Sequence, residues 1–185
     1  MADLDTFGLA VTSLNDLDGD GITDLAVGSG DEGTTYGAVW ILFMNTNGTV
    51  RAYQKISQTE GNFTGILNDG DGFGNSLANL NDLDGDGISD LAVGAYRDND
   101  GGNSRGAIWI LFMNANGTVK SHQKISNTHG SFTRMLDDSD AFGISVTNLN
   151  DLDKDGVTDL AVGASGDSVS GQNKWTRNGP NKWTG

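Results

Sequence analysis

Three stretches of this chain share one acidic spacing, Asp-x-Asp-x-Asp-Gly-x-x-Asp. Asp16, Asp18, Asp20 and Asp24 form the first copy, Asp82, Asp84, Asp86 and Asp90 the second, and Asp151, Asp153, Asp155 and Asp159 the third. Carboxylates at alternate positions of a turning loop converge on one point, and the glycine at position six (Gly21, Gly87, Gly156) permits the bend. Position seven, occupied by Ile22, Ile88 and Val157, would offer its backbone carbonyl while its apolar side chain turns inward. An all-oxygen, anionic donor set of this kind suits Ca²⁺, with up to three ions in the chain and water completing about six to eight places. Mg²⁺ takes fewer carboxylates and keeps more of its water. Without a cation, two carboxylates ~4 Å apart repel by ~4 kcal/mol at an effective dielectric near 20. Even for a lone copy a solvated acidic turn is the minority reading, and three copies in step with a longer repeat leave it little weight.

Composition points the same way. The 185 residues carry a formal charge of −14, and 23 of the 25 acids are Asp, the short carboxylate of turns and hard-cation sites. Nucleic acid and anionic membranes, both polyanions, are poor partners for such a surface. There is no cysteine, which excludes disulfides, zinc-thiolate sites and thiol catalysis. The longest apolar run, Ala38 to Met44, is strand-sized and far short of the ~20 residues of a membrane span. Met1-Ala2-Asp3-Leu4-Asp5 shows neither the basic nor the apolar region of a secretory leader.

Other chemistry-bearing residues have plainer explanations. His122 and His129 fall outside the repeat pattern and are expected at the surface. No Gly-x-Ser-x-Gly elbow stands between a strand and a helix, so no serine nucleophile is expected. Asp69, Asp71, Asp137, Asp138 and Asp140 precede Phe-Gly pairs and read as solvated turn acids rather than a paired-carboxylate site. Trp40 and Trp109 hold equivalent places and read as packing residues. Asn47, Asn62 and Asn116 lie in Asn-x-Ser/Thr sequons, two of them explained as hairpin Asn-Gly.

The elements that must position the acidic loops come from a repeat. Phe7-Gly8 recurs as Phe73-Gly74 and Phe142-Gly143, Asp24-Leu25-Ala26-Val27-Gly28 recurs from Asp90 and Asp159, and Gln54-Lys55-Ile56-Ser57 recurs as Gln123-Lys124-Ile125-Ser126. Each unit predicts four short strands: Leu9 to Leu14, Asp24 to Gly28, Val39 to Met44, and Thr49 to Ile56 in the first. One unit cannot bury both its faces, so units must stack. The expected fold is all-β, a partial β-propeller of tandem four-stranded antiparallel blades. Its expected parts are a first blade over 1–72, a second over 73–141, a partial third over 142–170, and an irregular or disordered tail over 171–185. About two and a half blades do not close a ring of ~4 to 8. The chain is therefore expected to be a fragment of a longer propeller, with a homo-oligomer as the alternative. Position twelve of each acidic loop is Val27, Val93 or Val162, inside a strand pattern, so a helix–loop–helix calcium hand does not fit.

Taken together, Phe-Gly, the acidic loop and Asp-Leu-Ala-Val-Gly-Ala resemble the FG-GAP repeat of the integrin α-subunit propeller and its bacterial relatives. The resemblance covers residues 7 to about 167. It implies a seven-bladed propeller in the full form and Ca²⁺ between strands one and two, on the face opposite the ligand-binding face. It also implies extracellular or cell-surface adhesion without common catalytic activity. A protein or glycan ligand would then meet Ser29 to Tyr36, Ala95 to Arg105 and the loops before each Phe-Gly, with Tyr36, Tyr96 or Trp175 stacking on a sugar in the lectin-like alternative. A third reading is an accessory repeat region of a larger secreted enzyme. The sequence departs from the family pattern at Lys154, which replaces the glycine of position four. No Gly-Ala-Pro ending is present either.

Overall fold

A computed structural model describes residues 6–30, 36–133 and 135–167, and the backbone of 176–178. Two four-stranded antiparallel sheets follow one another. The first runs β1 (Thr6–Ser13), β2 (Leu25–Gly30), β3 (Ala38–Met44), β4 (Val50–Ile56), in that spatial order. The second repeats it with β5 (Phe73–Asn81), β6 (Asp90–Ala95), β7 (Ala107–Met113) and β8 (Val119–Ser126). A third sheet pairs β9 (Phe142–Asn148) with β10 (Leu160–Ala164) and then β11 (Thr176–Asn178). This is a partial β-propeller. β11 lies within the stretch expected to be irregular; three ladder pairs along the edge of β10 need backbone groups only, not an apolar pattern. The remainder of the tail, Trp175 included, lies outside the described residues.

The first strand of each unit begins at or before the Phe-Gly pair, earlier than the apolar pattern predicts. Phe7 pairs with Ser29, and the register then shifts before Val11 pairs with Val27. The same shift follows Phe73 and Phe142. Gly8, Gly74 and Gly143 each take φ near +90° at these shifts, a conformation that suits glycine and bulges the strand.

The apolar core lies between sheets. Leu14, Ile41 and Ile56 of the first blade meet Phe73, Leu91 and Leu111 of the second, all at most 1% exposed. Ile108, Phe142, Leu160 and Val162 repeat the arrangement between the second and third. At each junction two backbones nearly touch. A methyl group on Gly28 would fall 1.9 Å from the Gly74 carbonyl oxygen, and one on Gly94 2.1 Å from that of Gly143. Parallel bridges join Gly37 to Phe73 and Gly106 to Phe142 across the same junctions. The recurrent Phe-Gly and Val-Gly pairs are therefore the points where blades touch.

A strap after each fourth strand finishes the junction. Phe63 stacks on Phe73 (centroids 5.2 Å apart) and meets Trp109 edge-on at 5.1 Å, while Phe132 stacks on Phe142 at 4.9 Å. Trp109 is buried as a packing residue. His122, expected at the surface, is half-buried against the rings of Phe63 and Trp109, and burial lowers its pKa. It faces the strap because it stands on the outer strand, where the strap crosses. The hairpin asparagines behave as turn residues: Asn47 and Asn116 accept the N–H of Thr49 and Thr118.

Candidate metal centres

Each acidic loop is closed at its neck by backbone pairing. The Leu14 N–H donates to the Asp24 carbonyl, and Asp24 donates back to Asn15; Leu149, Asp159 and Asn150 repeat this. Asn15, Asn81 and Asn150 enter the loops with φ near +55°, a backbone state asparagine tolerates well. Position four is also left-handed. Gly19 and Gly85 take φ 80°, and Lys154 is held at φ 65°, where its side chain costs about 1 kcal/mol relative to glycine.

Inside the loop, carboxylates collect backbone donors. Asp16 accepts the N–H of Gly21 at 2.8 Å, Asp82 those of Gly85, Asp86 and Gly87, and Asp151 those of Asp155 and Gly156. Asp20, Asp86 and Asp155 accept the N–H of Ile22, Ile88 and Val157, at 2.9, 2.9 and 3.0 Å. The position-seven side chains are half-buried, and Ile88 packs on the core. These bonds take some of the carboxylate oxygens and aim the others.

Three groups of facing carboxylates result: Asp16, Asp18 and Asp24; Asp82, Asp84 and Asp86; Asp151, Asp153 and Asp159. Within each group one oxygen per residue lies within 4.8 Å of the others. Asp20, Asp90 and Asp155 stand outside these sets of three. The donors are all oxygen, and the buried Asp18 Oδ1 accepts no hydrogen bond among the described residues. Both properties fit a hard divalent cation.

Position nine has a second task that the sequence pattern does not reveal. Asp24 Oδ2 accepts the N–H of Leu17 and its Oδ1 that of Met44, 3.0 Å away at the end of β3. Asp90 does the same with Leu83 and Met113. Each carboxylate thus ties the loop to the third strand as well as to the second. Burial pushes both carboxyls above the ordinary range, Asp90 to about 6.

Two basic residues also reach the loops. Arg51 Nη2 pairs with Asp18 Oδ2 and, at 3.0 Å, with Asp20 Oδ2. Lys120 Nζ lies 2.6 Å from Asp84 Oδ2 and 2.5 Å from Asp86 Oδ2, and this bond holds Asp86 below the usual carboxylate range. Arg51 and Lys120 occupy equivalent places, one residue after Val50 and Val119. That coincidence was available in the repeat and is easily passed over.

Of the turn acids, Asp69, Asp137 and Asp138 are exposed, but Asp71 (0%) and Asp140 (3%) are buried, contrary to the solvated reading. Each caps its own turn, Asp71 accepting the N–H of Asn68 and Asp140 that of Asp137, both at 2.7 Å. Each also binds the next loop through its backbone carbonyl, to Arg97 and Gly166. Asp71 lies near Asp98 and Asp100, which Lys124 bridges at 2.7 and 2.8 Å. Burial raises the Asp71 pKa from 3.8 to about 6, with Asp98 adding to it. The folded state therefore holds this proton to higher pH than the unfolded chain. Stability from this group is greatest below about pH 4 and is lost as pH rises to about 6. Asp71→Asn is expected to gain on the order of 1 kcal/mol at pH 7.5 and nothing at pH 4. Melting curves of the two proteins at both pH values check this, and an equal gap at both would exclude it.

At the strand ends away from the acidic loops lies an open cleft of about 380 Å³, lined in part by Leu9, Ser29, Asp69, Asn75, Tyr96 and Arg97. The Arg97 guanidinium stacks over the Tyr96 ring at 5.0 Å. The cleft is lined by Ser29 and Gly30, by Tyr96 and Arg97, and by Asp69 and Gly70 before Phe73, which belong to three of the segments expected to form the recognition face; residues 31–35 of the Ser29 to Tyr36 segment lie outside the described residues.

The FG-GAP repeat pattern matches residues 7–42, 73–111 and 142–176. Integrin alpha-2 of Mus musculus is 41% identical over 174 residues, 88% of this chain and 13% of the relative. Integrin alpha-11 of Homo sapiens is 34% identical over 172 residues, again 88% and 13%. Integrin alpha-4 of Xenopus laevis is 31% identical over 161 residues, 85% and 14%. The chain spans about an eighth of the length of these curated relatives.

Proposed function

The chain belongs to the FG-GAP repeat family as an integrin alpha-like member, and from that premise we propose that it is a calcium-binding propeller segment serving adhesion or recognition at a cell surface. The observation that carries the reading is the threefold convergence of carboxylates at the turn between the first two strands of each unit, with a buried and unpartnered oxygen on Asp18. Asp16, Asp18, Asp20 and Asp24 would hold the first ion with the Ile22 carbonyl. Asp82, Asp84, Asp86 and Asp90 would hold the second with that of Ile88, and Asp151, Asp153, Asp155 and Asp159 the third with that of Val157. The ion supplies positive charge and coordination that offset the mutual repulsion of each loop. The protein's part is to aim the oxygens, through the backbone bonds at positions one and five, and to pass the constraint to the third strand through Asp24 and Asp90.

In this reading the metal is structural and no residue is catalytic. The blades are taken as 1–72, 73–141 and the partial 142–170, with 171–185 as a tail. A partner meets the loops away from the metal, around the cleft beside Tyr96. That cleft also favours a second reading, a glycan ligand stacked on Tyr96, which a glycan array in calcium separates from protein adhesion. Extracellular calcium modules bind at about 10⁻⁴ to 10⁻³ M, and sites of that affinity would fill outside the cell and not in cytosol, which supports cell-surface placement.

Isothermal titration of the chelator-stripped chain with CaCl₂ tests the metal. Saturable binding is expected, with the Asp82→Asn/Asp84→Asn double variant losing one site. Absence of binding heat at millimolar calcium, together with an unaltered melting curve, would sink the reading.

A further inference from the structure

The same position of two consecutive blades sends a cation into an acidic loop. Arg51 and Lys120 each follow the valine that opens the fourth strand, in β4 and β8. Neither strand is adjacent to its loop in the sheet, since the loop joins strands one and two and the order is sequential. Both side chains nevertheless reach back and bridge positions three and five of the loop: Asp18 with Asp20, and Asp84 with Asp86. The bridging is the same although one head is a planar guanidinium and the other a compact ammonium. Arg51 also lies over the Phe43 ring at 5.9 Å, whereas Lys120 has no such ring contact among the described residues. Both side chains are about two-fifths exposed, so neither is locked in by packing and either can swing into water.

We propose that Arg51 and Lys120 are tethered counter-cations that neutralise loops one and two in the absence of calcium and oppose its entry. The inference rests on the calcium reading above. Positions three and five are candidate ligands, and the basic head shares their carboxylates with any incoming ion. Two cations on one carboxylate repel. A unit charge about 5 Å from a divalent ion weakens its binding roughly tenfold even at the dielectric of water, and less in high salt. What the basic residue gives in return is order without metal. It offsets the repulsion of two acids and keeps the loop near its bound shape. Its effects on the free and the loaded protein therefore have opposite signs. A residue that only supported the ligands from outside would help both.

The test uses the whole chain and the variants Lys120→Gln and Arg51→Gln, read by calcium titration calorimetry and by melting curves in chelator. In chelator, each variant is expected to melt below the parent chain. In calcium, the affinity of one site is expected to rise by threefold or more, approaching tenfold at low ionic strength and shrinking as salt is added. An unchanged or weakened affinity overturns the proposal, and a weakened one makes these residues outer supports of the ligands. Lys120→Arg should restore the parent behaviour, because it restores the charge. If neither parent nor variant takes up calcium, the calcium reading itself has failed, and the chelator melting curves still report whether the bridges steady the loops.

Discussion

Millimolar calcium is expected to raise the melting temperature of the chelator-stripped chain by roughly 10 °C. The size follows from linkage. A ligand at ten times its Kd adds about 1.4 kcal/mol per site to the folded state if the unfolded chain does not bind it, so three independent sites add about 4 kcal/mol. For a domain of this length each kcal/mol moves the midpoint by about 2–4 °C. The unfolded chain has no convergent carboxylates to compete, because convergence depends on the left-handed residues at positions four and six of each loop. Magnesium should give much less, since it gives up its own water reluctantly. Scanning calorimetry in chelator, in calcium and in magnesium reads all three. An indifferent curve would count heavily against structural metal.

Gly74→Ala is expected to be among the most damaging single methyl groups that can be added to the protein. The backbone there has φ +90°, and the new Cβ would sit 2.3 Å from the carbonyl oxygen of Ala38 on the neighbouring blade. Ala38 is held in its strand ladder and Gly74 lies in a bulge pinned between the Phe73 and Ser76 ladder pairs, so neither backbone turns aside freely. Strain and overlap together should cost about 3–5 kcal/mol. Gly48→Ala supplies the control: φ is +80°, but nothing lies within 4 Å of the new methyl. Its cost should be about 1 kcal/mol, from the backbone alone. The gap between the two variants in urea unfolding measures the contact between blades. Equal losses would mean that the junction gives way easily and that the glycines are retained for strand bulging only.

Strand content was legible because a period of two and a threefold repeat both lie along the chain. Val39 to Met44 is apolar throughout, with Val39, Ile41 and Phe43 buried and Trp40, Leu42 and Met44 half-buried on the other face, and Asn-Gly marks the hairpins. The acidic loops were legible because a turn's ligands are consecutive in sequence. What escaped were particular side-chain contacts between distant segments. Asp71 reads as a wet turn acid until the next loop closes over it. His122 reads as a surface residue until Phe63, nearly sixty positions away, lies against its ring. Asp24 reads only as a ligand, yet it also holds Met44 across the sheet.

By itself, then, the order of residues determined that the chain is built of repeated four-strand units with an acidic turn in each, because spacing and turn chemistry are local properties. Tertiary structure alone decided which glycines touch across blades, which turn acids are buried, and that Arg51 and Lys120 reach the candidate metal loops. Those outcomes depend on strands separated by dozens of residues coming within a few ångströms, and no local pattern encodes that distance.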